Sequence, residues 1–153
     1  MLSMRLLYHI PAAFLPPRVK NQLTNLLLEC FHRVGYAFKN YDNVVLVQQD
    51  NCVIGLLCVR EVVDDVDEED QCKPICREMY VEKLCVLKRF RNLGIATEML
   101  QYVSDELAKT QTQVLHVDKN DRHEIMCEFY KKRGFFPRYS NKKETCFEKK
   151  MAN

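Results

Sequence analysis

Residues 84–97 read Leu84-Cys85-Val86-Leu87-Lys88-Arg89-Phe90-Arg91-Asn92-Leu93-Gly94-Ile95-Ala96-Thr97. An apolar strand closes at Val86, a basic loop follows, and the small residues Gly94 and Ala96 flank the start of a helix. The first turn of a helix leaves amide hydrogens unpartnered at the positive end of a dipole. Small residues there let a ligand reach the backbone, and phosphate groups bind such sites.

The pattern continues in both directions. Upstream, apolar positions at helical spacing predict a helix over 18–34, stopped by Gly35. Residues 4–10 read as a first strand, and Val44–Gln48 with Cys52–Val62 as a hairpin. Glu78–Val86 is the next strand. Downstream, Ile95, Met99, Leu100, Val103 and Leu107 share one face of a helix over 93–109. A short strand over 113–117, a helix over 121–133 ending at Gly134, and a closing hairpin of 135–139 with 145–149 complete the chain. The order β, α, β, β, β, α, β, α, β, β predicts an α/β (α+β) fold with helices covering a mixed central sheet.

The composition allows this. A chain of 153 residues, 47% hydrophobic and 29% charged, suits a single domain over 1–153 with one sizeable core. A net charge of +2 does not nominate a nucleic-acid binder, so nucleic acid is an unlikely partner. No apolar stretch approaches the roughly 20 residues of a membrane span. The N-terminus carries a short apolar run broken by His9 and Pro11, which reads as a strand rather than a secretory signal. Cys30, Cys58, Cys85 and Cys127 fall in apolar periodic segments and behave there as small hydrophobes. Reduced cysteines and a cytoplasmic address follow, with the nucleus as the alternative. Cys72 and Cys76 have no second Cys/His pair in zinc-like register, so no metal site is expected. Charge is uneven. Residues 64–70 hold six carboxylates, whereas residues 71–153 hold 17 basic and 11 acidic side chains. That asymmetry fits either solubility or the handling of an anion.

Arg91-x-x-Gly94-x-Ala96 after an apolar strand resembles motif A of the GNAT family of N-acetyltransferases. Tyr130-Lys131-Lys132-Arg133-Gly134-Phe135 resembles the family's second mark, a helix ending in Tyr-x-x-x-Gly-Phe. The two marks stand in the family's order, and the resemblance spans roughly residues 44–150. The local motifs are most similar to N-terminal acetyltransferase catalytic subunits of the NatE and ribosomal-protein types. The resemblance implies a GNAT fold, its sheet splayed between the fourth and fifth strands, that moves acetyl from acetyl-CoA to an amine without a metal. The backbone of Leu84, Cys85 and Val86 would pair with the pantetheine arm. The loop and helix start, Arg91, Asn92, Leu93, Gly94, Ile95, Ala96 and Thr97, would hold the pyrophosphate.

The resemblance also assigns proton transfer. His116, in Leu115-His116-Val117, occupies the family's base position. Pattern alone would leave it a core histidine, but an imidazole suits a general base near neutral pH. Tyr80 stands where the NatE-type enzyme has a tyrosine. A tyrosine hydroxyl titrates at about 10, so it fits the holding of a relay water better than the role of base. Glu82, on the same strand face, is the reserve base. Tyr130 would return a proton to the leaving thiolate and contact the CoA arm.

The chain departs from the family in places. His123 stands where many members carry an asparagine on the CoA arm, with Asn120 nearby, and a link about two residues longer than in the NatE-type enzyme leaves the register of residues 118–125 open. The family's substrate-entry motif has no counterpart in residues 35–42. The expected acceptor is a protein N-terminus or a lysine amine. A small amine or polyamine, and a CoA-binding partner subunit of weak activity, remain alternatives. An auxiliary subunit and a recruiting role for the 64–70 acidic loop also remain open.

Overall fold

The computed structural model describes residues 4–31, 38, 41–63 and 77–150. The elements run β1 (Arg5–Pro11), α1 (Pro17–Phe31), β2 (Asn43–Gln49), β3 (Cys52–Val63), β4 (Arg77–Val86), α2 (Ile95–Tyr102), β5 (Thr112–Asp118), α3 (His123–Lys131), β6 (Phe136–Ser140) and β7 (Glu144–Lys149). Their order is the expected one. The acidic loop 64–70, the Cys72/Cys76 pair and the Gly35 helix stop lie outside the described residues.

The strands form one sheet in the order β1-β2-β3-β4-β5-β7-β6. Every neighbouring pair is antiparallel except β4 and β5, which run parallel. Each face carries its own apolar layer. Leu23, Leu26 and Leu27 of α1 pack with Val44, Leu46, Leu56, Cys58 and Cys85 on one face. Ile95, Met99, Leu100 and Val103 pack with Val45, Val47, Val81, Leu115, Tyr130 and Phe147 on the other. A fully buried leucine in such a layer stabilises the fold by about 1.5–3 kcal/mol.

Three features differ from the sequence expectation. The helix over 93–109 is regular only through Tyr102 and widens into a π-helical turn, Val103–Leu107. Ala108 N–H closes that turn on Val103 O at 2.7 Å. The wider turn accompanies a buried hydrogen bond from Gln113 Nε2 to Ser104 Oγ at 2.8 Å, a polar demand that apolar periodicity does not encode. Cys30 and Cys85 are joined in a disulfide that ties α1 to β4, with their Cα atoms 6.3 Å apart. Reading these two as separate thiols is therefore corrected: both are apolar-face residues, but the packing of α1 on β4 brings them together. Cys58 and Cys127 are buried free thiols, and burial pushes both thiol pKa values up.

The third is a bulge in β4. Leu56 pairs with Cys85 and Cys58 with Glu82, so Lys83 and Leu84 together face Leu57. Lys83 adopts φ 58°, the left-handed region that non-glycine residues rarely occupy. The extra residue inverts the alternation, and Tyr80, Glu82 and Cys85 come to share the α1 face.

Candidate active site

The β4–α2 connection places its chemistry through backbone shape. A 3₁₀ turn, Lys88–Phe90, follows the strand, and Lys88 and Arg89 are exposed. Asn92 and Gly94 then take φ values of 66° and 82°. A Cβ built on Gly94 would meet no atom within 4 Å, so the surface above it is open to an approaching group. Gly94 caps α2, and no side chain bonds there. As at any helix start, the amides of Ile95, Ala96 and Thr97 have no acceptor within the helix. The Arg91 side chain turns back, and its Nε donates to Val86 O at 2.9 Å. Thr97 Oγ1 accepts from Arg133 Nε at 2.9 Å. Arg133 also donates to Phe129 O at 2.7 Å and lies 3.6 Å above the Phe129 ring. That guanidinium fastens the end of α3 to the first turn of α2. Sequence reasoning missed it, although it sits inside the Tyr-x-x-x-Gly-Phe motif.

The sheet parts where the resemblance implies. The β4–β5 register consists of Glu78↔Thr112, Met79↔Gln113 and Tyr80↔Val114. Past Tyr80 the two parallel strands diverge, while β4 keeps pairing with β3 as far as Val86. Leu84, Cys85 and Val86 thus lie on a strand whose β5-side edge faces the gap. Gly55 of β3 sits beneath α2, where an added Cβ would lie 3.1 Å from Ile95 Cγ2 and 3.2 Å from Met99 Cε. The missing side chain lets the helix start settle against the mouth of the gap.

At the fork, Tyr80 and His116 meet. Their rings stack at 5.9 Å with 7° between planes, on the sheet face that carries α1. His116 Nδ1 lies 2.5 Å from Glu144 Oε2, and the Tyr139 ring is 6.4 Å away. Arg60 lies 5.2 Å over the opposing strand's Tyr80 ring and donates to Glu82 Oε1 at 3.2 Å. Tyr41 donates to Glu82 Oε2 at 2.9 Å. Both oxygens of Glu82 are engaged, which suits a structural carboxylate better than a reserve base. Glu144, Tyr139, Arg60 and Tyr41 were not singled out in the sequence, because pairing across distant strands assembles them.

Tyr130 lies on the opposite face. It packs edge-on against Phe129 at 5.3 Å and Phe135 at 5.7 Å. Burial pushes its phenol pKa well up, so the hydroxyl holds its proton. His123, at the start of α3, turns its Nε2 to Thr145 Oγ1 at 2.9 Å and Cys127 Sγ at 3.4 Å. Tyr80 and His116 therefore lie on one face of the sheet and Tyr130 on the other. Among the described residues no group of three His, Cys, Asp or Glu side chains could hold a metal ion. No described helix is long and apolar enough to cross a membrane.

The family model for the acetyltransferase (GNAT) family matches residues 7–135. The chain belongs to the acetyltransferase (GNAT) family. It is an N-acetyltransferase by that membership, as Arg91–Ala96 and Tyr130–Phe135 led us to expect. A search of curated proteins returned no match. Among solved structures, the chain is similar to Arabidopsis thaliana NAA60 bound to a bisubstrate analogue, with a TM-score of 0.72 at 16% identity, covering 96% of this chain and 100% of that one. It is also similar to Arabidopsis thaliana Naa50 bound to the bisubstrate analogue CoA-Ac-MVNAL, with a TM-score of 0.67 at 20% identity over 95% and 99% of the two chains. The IAA acetyltransferase from Bacillus cereus has a TM-score of 0.65 at 12% identity over 97% and 100%. At these identities the likeness establishes the fold.

Proposed function

We propose that the protein transfers acetyl from acetyl-CoA to a protein amine, an N-terminal α-amine or a lysine, with His116 as general base. The observation that carries this reading is the Tyr80–His116 stack at the point where β4 and β5 part. Acetyl-CoA is the acyl donor of the family and supplies a thioester activated toward nitrogen nucleophiles. The residues present fit it. The divergent β4 edge at Leu84, Cys85 and Val86 offers backbone partners to an extended arm. The open turn at Asn92 and Gly94, with exposed Lys88 and Arg89 beside it, suits a pyrophosphate.

His116 takes the proton that the amine sheds as its nitrogen bonds to the acetyl carbon. Tyr80, stacked on that imidazole, holds a relay water in its place. Tyr130, its O–H kept intact by burial, gives a proton to the departing sulfur. Holding amine and thioester together in one gap supplies the orientation that such a transfer needs.

The acceptor face favours a peptide over an enclosed small amine. The His116 and Glu144 side chains are 30% and 29% exposed, and Tyr139 is 47% exposed. An extended chain lies across such a face without needing a closed cavity. The paired NAA60 and Naa50 folds, crystallised with bisubstrate analogues, agree with this choice. The test is free-thiol release from acetyl-CoA with peptides of varied N-termini, set against small amines and polyamines. Turnover confined to polyamines would overturn the peptide reading.

A further inference from the structure

We infer that Glu144 is a positioning residue: it fixes His116 with its proton on Nδ1 and so leaves Nε2 as the ring's accepting nitrogen. This deepens the reading of His116 as base and rests on it for its catalytic consequence.

The geometry is built from four strands. His116 of β5 pairs with Cys146 of β7, and Glu144 stands two residues along β7 on the same sheet face. The contact between His116 Nδ1 and Glu144 Oε2 is 2.5 Å. An ionised carboxylate only accepts hydrogen bonds, so a hydrogen bond between these atoms takes its proton from the imidazole. A neutral imidazole carries one N–H, and placing it on Nδ1 empties Nε2. Glu144 is itself held. Its N–H donates to Asn141 Oδ1 at 3.0 Å, and its carbonyl accepts from Asn141 N–H at 2.9 Å. The hairpin is further tied to the end of β5 by Lys119 N–H on Lys143 O at 2.9 Å. From β4, the Tyr80 ring lies parallel to the imidazole and limits its rotation. From β6, Tyr139 closes the third side. Both partners are about 30% exposed, so this is not a freely solvated pair on two mobile side chains. A solvated pair would contribute little.

The chemistry explains the arrangement. A base must present a lone pair to the proton it removes, within hydrogen-bond reach. Free imidazole mixes two tautomers, and a rotating ring spends part of its time with N–H toward the acceptor. An oriented carboxylate behind the ring removes that wrong population.

The test is two-bond ¹H–¹⁵N correlation on the ¹⁵N-labelled full chain at a pH where the imidazole is neutral. His116→Ala assigns its signals among the four histidines. The wild type should have Nδ1 protonated and Nε2 bare, and Glu144→Ala should shift the balance to protonated Nε2. Glu144→Gln keeps the size but is a poorer acceptor, and it should fall between the two; it carries the test if the alanine variant does not fold. With peptide acceptors, Glu144→Ala should lower kcat about tenfold or more, a share of the ~100- to 10,000-fold that a general base supplies. KM for acetyl-CoA should stay within about twofold, because the dyad removes a proton rather than binding the cosubstrate. In a His116→Ala background the Glu144 change should cost nothing more. A wild-type Nε2–H tautomer, or a balance unmoved by both Glu144 changes, would overturn the inference. Should His116→Ala leave turnover intact, the base assignment falls, while the tautomer measurement still decides what Glu144 does.

Discussion

A histidine on a strand between two apolar neighbours can be core, surface or catalyst, and only its partners separate these roles. For His116 the partners are an aromatic face on β4 and a carboxylate on β7. His116→Ala should lower kcat by about 100-fold or more with acetyl-CoA affinity kept, measured by thiol release and calorimetry. Tyr80→Phe retains the stack and removes the hydroxyl, so a loss of turnover without a loss of melting temperature would support the relay water. Tyr130 gives a pH prediction. Its phenol pKa lies above its ordinary 10.0 in the folded chain because burial disfavours the phenolate. The folded state therefore holds a proton that the unfolded chain releases. The stability linked to this is full below pH 10 and declines as pH rises beyond it. Denaturant midpoints across that range should fall more steeply in the wild type than in Tyr130→Phe. At this scale His116, Tyr80 and Tyr130 were nominated through the family resemblance, because each sits at or beside one of its motifs. Glu144 was not, since its link to His116 crosses 28 positions and depends on the β5–β7 register.

Between elements, the decisive features are one bulge, one divergence and two glycines. The parting of β4 from β5 was legible through family resemblance, and the run of elements through hydrophobic period. The bulge at Lys83 was not, because no glycine marks it: a lysine holds a φ of 58° there. Gly55 shows the opposite case, a glycine inside a strand whose purpose is invisible until α2 is seen 3.1 Å from where its Cβ would be. Gly55→Val should push against Ile95 and Met99 and destabilise the fold by about 1–3 kcal/mol. It should also weaken acetyl-CoA binding by displacing the start of α2, read by calorimetry. Gly94 lies in open space at φ 82°, so its constraint is the backbone itself. Gly94→Glu should leave the core intact, cost about 1 kcal/mol in backbone strain, and repel a phosphate from the turn.

Across the molecule, the helices are fastened to the sheet by different means. Arg5–Glu98 at 3.1 Å and His9–Tyr102 at 2.5 Å pin α2 to the edge strand β1, and Arg133 pins α3 to α2. The Cys30–Cys85 disulfide pins α1 to the strand that would carry the pantetheine arm. It closes a loop of 55 residues, and chain entropy assigns such a link about 4 kcal/mol. Denaturation with and without reductant should differ by that amount, and Cys30→Ser should remove the difference. Sequence reasoning placed both cysteines on apolar faces correctly but could not pair them, because which helix covers which strand is a tertiary fact.

We propose that this acetyltransferase delivers acetyl to a protein amine through His116. The most direct measurement is acetyl-CoA turnover, read as free thiol, with peptides of varied N-termini beside small amines and polyamines, for the wild type and His116→Ala together. Turnover is expected with a class of peptides and little with polyamines, and it should collapse in the variant while calorimetric acetyl-CoA binding persists. Turnover confined to small amines, or undiminished in His116→Ala, would contradict it.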